Sequence, residues 1–97
     1  MELTGAQILI KVLEEEGVEY VFGIPATSCS DFFMAIDEDK DIDYIVTTSE
    51  LEAGFIADGY GRNKKLGALC VSYGVGTLSL ANAIASSLTE KVPVIII

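Results

Sequence analysis

Apolar positions along this chain switch repeatedly between a helical spacing and short unbroken runs. Thr4 to Glu16 places Ile8, Leu9, Val12 and Leu13 on one predicted helical face, and Gly17 follows as the expected stop. Thr4 and Gln7 form a T-x-x-Q capping box at its start. Val18 to Phe22 reads as a short strand, left through Gly23-Ile24-Pro25-Ala26-Thr27. Ser28 or Ser30 is expected to cap a second helix running to about Glu38, with Phe32, Phe33 and Ile36 inward. Ile42 to Thr47 is a second strand and Glu50 to Arg62 a third helix, followed by the loop Asn63 to Gly67. Ala68 to Tyr73 is a third strand ending in Gly74-Val75-Gly76. Thr77 to about Thr89 is a fourth helix with Leu78, Ala81, Ile84, Ala85 and Leu88 on one side. Val92 to Ile97 is a fourth strand, and the apolar, β-branched run Val94 to Ile97 predicts cover on both of its faces.

The order is therefore αβαβαβαβ. Strands alternating with helices imply parallel pairing. Right-handed crossovers then place helices on both faces of the sheet. The expected fold is α/β, a three-layer doubly wound parallel sheet of four strands in the order 2-1-3-4. Residues 1–97 form one domain, incomplete at its C-terminal end because the pattern stops on a strand that reads as central.

Composition narrows the class. Of 97 residues, 51% are hydrophobic, which suits buried parallel strands or a surface that packs against more protein. The net charge of −9 opposes nucleic-acid phosphates and anionic membrane surfaces alike. Two acidic clusters, Glu14-Glu15-Glu16 and Asp37-Glu38-Asp39, fall at predicted helix ends and read as solvated surface. No apolar run is long enough to span a bilayer, and Met1-Glu2-Leu3-Thr4 does not open a signal peptide. The two cysteines, Cys29 and Cys70, suggest no disulfide scaffold, so a reducing cytoplasm is the expected compartment. The chain has no histidine, which removes Ser-His-Asp and Cys-His catalysis and makes a metal site unexpected within it.

Candidate chemistry concentrates in Thr48 to Arg62, TSELEAGFIADGYGR. Ser49 and Glu52 form an S-x-x-E box, so Ser49 is the predicted N-cap and Glu50 the first helical residue. An acid there is favoured by the helix dipole alone. It also lies beyond the carboxyl end of a strand, where ligands bind in open α/β sheets.

Four stretches together carry a resemblance: GVEYVFGIPA (17–26), SELEAGFIADGYGR (49–62), YGVGTLSLANAIA (73–85) and EKVPVIII (90–97). In this order and spacing they resemble the N-terminal pyrimidine-binding domain of thiamine-diphosphate enzymes of the 2-oxoacid decarboxylase and acetohydroxyacid synthase superfamily. The form GVGTLSLANAIA is more similar to the pyruvate and indolepyruvate decarboxylase branch than to the synthases. The resemblance implies an N-terminal part of an enzyme acting on 2-oxoacids, as decarboxylase or carboligase. It assigns to Glu50 a hydrogen bond to N1′ of the cofactor's aminopyrimidine, helping the 4′-amino group take the proton from the thiazolium carbon. Ile24, Tyr73 and Val75 are expected to give that carboxylate an apolar pocket.

The cofactor-binding residues so implied are Pro25, Ala26 and Thr27 in the first loop and Tyr73, Gly74, Val75 and Gly76 in the glycine turn. The two glycines would let backbone approach a flat ring, or serve only a turn that needs positive φ. The decarboxylase branch carries Gly-Asp after this proline, where this chain has Ala26-Thr27. A hydroxyl is no acid at neutral pH, so that aspartate's proton handling is not supplied from this position. The family holds Mg²⁺ and diphosphate on a separate domain, and no matching Gly-Asp-Gly…Asn motif occurs here. The implied partner is that diphosphate-binding domain, from the same or another subunit of a homo-oligomer, meeting Glu50 and the small residues Ala53, Gly54 and Ala57. The isolated chain is expected to be inactive. Two other readings stay open at this point. Gly74-Val75-Gly76-Thr77-Leu78-Ser79 half matches a Rossmann-type nucleotide fingerprint. A non-catalytic, flavodoxin-like assembly module would also suit an open sheet edge.

Overall fold

A computed structural model of the chain describes residues 2–63 and 66–97. Its elements run α1 (Gly5–Glu15), β1 (Tyr20–Gly23), a 3-10 turn (Thr27–Cys29), α2 (Ser30–Glu38), β2 (Asp43–Val46), α3 (Glu50–Asn63), β3 (Gly67–Cys70), α4 (Val75–Ser79), α5 (Ala81–Thr89) and β4 (Val94–Ile96). The sheet is parallel throughout, in the order β2-β1-β3-β4. Order, class and layering agree with the expectation. The predicted loop from Asn63 to Gly67 includes residues 64 and 65, which lie outside the described residues.

Alternation along β1 and β3 divides the interior into two cores. Val21, Ala68 and Cys70 face α1 and α2, joining Ile10, Leu13, Phe32 and Ile36. Phe22, Leu69 and Val71 face the other way, against Ala53 and Ala57 of α3 and Leu80 at the head of α5. Every residue of β3 is buried, as the central strand of a parallel sheet requires.

The helix starts follow local chemistry, with two corrections. Thr4 caps α1 with the full reciprocal box: its Oγ1 accepts from Gln7 N at 3.2 Å and its N–H donates to Gln7 Oε1 at 2.9 Å. For α2 neither serine is the cap. Cys29 holds that position without a side-chain bond to the helix's own N–H groups, because the 3-10 turn already occupies the chain ahead of Ser30. Ser49 does accept from Glu52 N, at 3.1 Å, but the return bond is displaced by one residue. Glu52 takes both the N–H and the hydroxyl of Thr48, at 3.0 and 2.8 Å.

Three inward faces also differ from the pattern. In α1 the buried residues are Ile10 and Leu13, while Ile8 and Val12 stand about half exposed. The predicted fourth helix is broken at Leu80, whose φ of −105° and ψ of 17° separate α4 from α5. Its buried residues are Gly76, Leu80, Ala83 and Ser87, and Leu78 and Leu88 are each 77% exposed. The reason is closeness. A Cβ on Gly54 of α3 would lie 2.6 Å from the Cβ of Ala83, so only small residues fit between α3 and α5. β4 is covered on one face by the first core, but Ile96 on the other is 39% exposed beside a cavity of about 180 Å³. It is an edge strand, and α3 and α5, which flank that face, leave the cavity between themselves and β4.

Asp58 fastens α3 to α5. It accepts from Arg62 Nε and from Ser87 Oγ, each at 2.6 Å, and Arg62 reaches on to Glu90. Arg62, and then Ser87, hold the Asp58 carboxyl below its ordinary 3.8. A depressed carboxyl contributes stability above its unfolded value that is lost as pH falls through its folded one. We expect Asp58→Asn to unfold at lower urea than the parent at pH 7, by about 1–3 kcal/mol, with the gap narrowing on acidification below about pH 4. A gap independent of pH would show that the carboxylate's charge contributes nothing.

Gly23 gives a second test. Its φ is +149°, and a Cβ there would run into the Cys70 carbonyl oxygen. Gly23→Ala is expected to cost about 3 kcal/mol or more, since backbone must move. Gly5→Ala, where nothing lies within 4 Å of the added carbon, is expected to be neutral or stabilising by up to about 1 kcal/mol in the same urea titration.

Candidate functional site

The strand ends line up. Gly23 is in register with Val46 on one side and Cys70 on the other, so the loops after β1, β2 and β3 leave one edge of the sheet together. The chain reverses its direction of winding between β1 and β3, and the crevice above that switch point is where open α/β sheets take ligands.

Three segments meet there. Pro25 and Ala26 lie in the loop after β1, and Thr27 opens the 3-10 turn. Glu50 is the first residue of α3, after β2. Tyr73 precedes Gly74, which caps α4 at φ +75° and ψ −95°, and Val75 and Gly76 are the first residues of that helix, not loop as the pattern suggested. Side-chain bonds hold the segments together. Buried Thr47 donates its N–H to the Gly23 carbonyl at 2.9 Å and its hydroxyl to the Ser49 carbonyl at 2.8 Å. Ser28 and Ser72 share a hydrogen bond at 3.3 Å, tying the first loop to the third. Neither tie was visible in the sequence, because each joins hydroxyls far apart in the chain or unremarkable beside a strand end.

Glu50 is half-buried, and among the described residues its carboxylate enters no hydrogen bond or ion pair. Its neighbour Glu52, by contrast, is consumed by Thr48 and held below the ordinary carboxyl value by those bonds. Of the two acids in the first turn of α3, Glu50 is the one without a described partner. The expected apolar pocket around it is not closed by this chain. Ile24 is half-buried, but Tyr73 is 80% and Val75 71% exposed, forming an open shelf. The small residues Ala53, Gly54 and Ala57 are spent inside the chain against Leu80, Ala83 and β3. The large apolar side chains that α3 turns outward are Phe55 and Ile56.

The described cations lie at the opposite end of the sheet. Lys11 lies past the middle of α1 and reaches Asp39 just after α2, Arg62 sits in the last turn of α3, Lys40 just after α2, and Lys91 just ahead of β4. Lys11 is already engaged with Glu14 at 3.2 Å and Arg62 with Asp58. A carboxylate and exposed apolar side chains on one sheet edge suit a neutral nitrogen heterocycle. Among the described residues the same edge offers no cation for a phosphate group.

An α/β domain wound about such a crevice has the architecture in which ligands bind beyond the strand ends. The chain belongs to the thiamine pyrophosphate enzyme family: residues 3–97 match its N-terminal TPP binding domain. It is 44% identical over 91 residues to an alpha-keto-acid decarboxylase of Mycobacterium leprae (strain TN), covering 94% of this chain and 16% of that protein. It is 40% identical over 92 residues to the alpha-keto-acid decarboxylases of Mycobacterium avium (strain 104) and Mycobacterium tuberculosis (strain ATCC 25618 / H37Rv), covering 95% of this chain and 16% of each. The chain thus spans 16% of the length of these relatives. Membership in this family implies thiamine diphosphate, also called thiamine pyrophosphate, as the ligand. Among the described residues, no helix is long and apolar enough to cross a membrane.

Proposed function

We propose that this chain is the pyrimidine-binding part of a thiamine-diphosphate enzyme that acts on 2-oxoacids, in the manner of a decarboxylase, and that Glu50 activates the cofactor. The observation that carries this is the half-buried carboxylate at the mouth of α3, uncommitted among the described residues, on the same sheet edge as the Pro25 loop and the Gly74 turn. When bound, the cofactor supplies a carbanion equivalent that adds to a 2-oxo carbon. What these residues do is hold and prime it. Glu50 would share a proton with the ring nitrogen N1′. Val75 and Tyr73 would supply apolar surface to the ring, Gly74 and Gly76 would let backbone approach it, and Pro25, Ala26 and Thr27 would border it.

The rest of the site comes from a second domain, of the same polypeptide or another subunit in a homo-oligomer. That domain holds the diphosphate and its Mg²⁺ and closes over Tyr73, Val75 and Leu78. Two features of this chain support the division: its charge of −9, and the lack of any described cation at the ligand edge. The names of the relatives favour decarboxylation over carboligation. A cytoplasmic setting suits two free thiols.

Glu50→Gln keeps the size and the helix start but cannot share the proton. In the complete enzyme it should lower turnover by about 10²–10⁴-fold and slow hydrogen exchange at the thiazolium carbon, followed by NMR. Near-parental exchange would remove Glu50 from the mechanism. Separately, the 97-residue chain alone should bind thiamine diphosphate more weakly than about 1 mM, or about 4 kcal/mol, by calorimetry. Micromolar binding would place the diphosphate site on this chain.

A further inference from the structure

One buried polar atom has no use in the cofactor reading. The Tyr44 hydroxyl, on β2, is closed off from solvent and meets no hydrogen-bond partner among the described residues. Native interiors hold few such groups. The Tyr44 ring stands edge-on to Phe33, with centroids 4.4 Å apart. Its Oη comes within 3.2 Å of where a Cβ on Gly23 would stand, so the hydroxyl uses side-chain space that Gly23 leaves open. Burial first, and the thiols of Cys70 and Cys29 next, raise this phenol above its ordinary 10, which keeps it a neutral donor at pH 7. Gly23 leads directly into the loop that borders the candidate cofactor site. The carbonyls of Gly23 and Ala26 already accept, from the Thr47 N–H at 2.9 Å and the Cys29 N–H at 3.1 Å. Between them, no described donor reaches the carbonyls of Ile24 or Pro25. A donor without an acceptor thus lies beside Gly23, and an acceptor without a donor one residue further on.

We propose that Tyr44 is a positioning residue for the cofactor loop: its hydroxyl donates to the Ile24 carbonyl when the ring of thiamine diphosphate is bound, and so holds Pro25, Ala26 and Thr27 against that ring. The inference rests on the function proposed above. The loop has room for the movement, because Pro25, Ala26, Thr27 and Phe33 line an open groove of about 420 Å³. Ile24 precedes a proline and is confined to extended backbone. Its carbonyl therefore travels with the loop and does not turn over by itself. A ligand shifts the balance between two loop positions only by what differs between them. Here the difference is one hydrogen bond, made from two groups that otherwise lack each other. That bond acts on how tightly the ring is held, whereas Glu50 acts on its proton.

Tyr44→Phe in the complete enzyme removes the hydroxyl and keeps the ring and its contact with Phe33. Without cofactor, the variant is expected to unfold at the same urea concentration as the parent or a higher one, because the group removed has no partner there. In a fluorescence titration with thiamine diphosphate and Mg²⁺ it should bind about three- to tenfold more weakly, the worth of one neutral hydrogen bond. With tyrosine labelled by ¹³C at Cζ, the NMR signal missing from the variant is that of Tyr44, and in the parent this signal should shift when cofactor is added. A lower urea midpoint without cofactor would mean that the hydroxyl already has a partner, and overturns the proposal. Equal affinity in the two proteins, or a Tyr44 signal that cofactor does not move, overturns it too. Glu50 keeps its assignment in all three cases. A parent that binds no thiamine diphosphate removes the proposed function, and this inference with it.

Discussion

The arrangement depends on one place where no side chain fits. Gly23 ends β1 with its missing Cβ directed at the Cys70 carbonyl, so β1 and β3 approach more closely there than any other residue type permits. Its own carbonyl receives the Thr47 N–H from the exit of β2. The last residue of the first strand is thus gripped from both neighbours, and three strand ends are brought level. Everything at the ligand edge follows from that alignment. A slip by one residue in a parallel pair would turn Val21 and Phe22 to each other's cores, and would carry the Pro25 loop away from the mouth of α3.

Much of this was legible from residue pattern because it is local. The alternation of periods fixed the order of elements. The Thr4 box, the Gly17 stop and the position of Glu50 depend on neighbours three or four residues away. What was not legible depends on contacts between distant segments. The faces of α1 and α5 were misread because hydrophobic area alone favours Val12, Leu78 and Leu88. Close packing instead selects Gly54 against Ala83, and hydrogen bonding selects Ser87 for Asp58. The same holds at the site. Glu50 and the glycine turn could be found from their motifs, whereas Thr47, Ser28 and Ser72 act only through three-dimensional neighbours. The supposed pocket of Tyr73 and Val75 failed because nothing in a linear pattern says whether an apolar residue is covered by its own chain.

Large apolar side chains are left exposed on several elements. Tyr73 just ahead of α4, Val75 and Leu78 within it, and Phe55 and Ile56 on α3 are among them. Burying a large apolar side chain is worth about 1.5–3 kcal/mol. Side chains of this size left in water are what a second protein surface can bury. The two inner cores are made of other residues, so covering them would not require the fold to change.

The division of labour proposed for the cofactor has an electrostatic reason. A carboxylate that must share a proton with a ring nitrogen cannot stand beside a cation, because a positive neighbour favours its charged form. Two opposite charges about 4 Å apart attract by about 4 kcal/mol near a protein surface, which corresponds to about three pKa units. A diphosphate demands the cations that such an acid must avoid. Beyond about 8–10 Å ionic strength screens most of the conflict between exposed charges. The described lysines and Arg62 of this chain are gathered at the far end of the sheet, and Glu50 stands at the near end with no described cation beside it. An acidic layer that grips only the ring, with the cations on another domain and the cofactor's own length as spacer, satisfies both requirements at once.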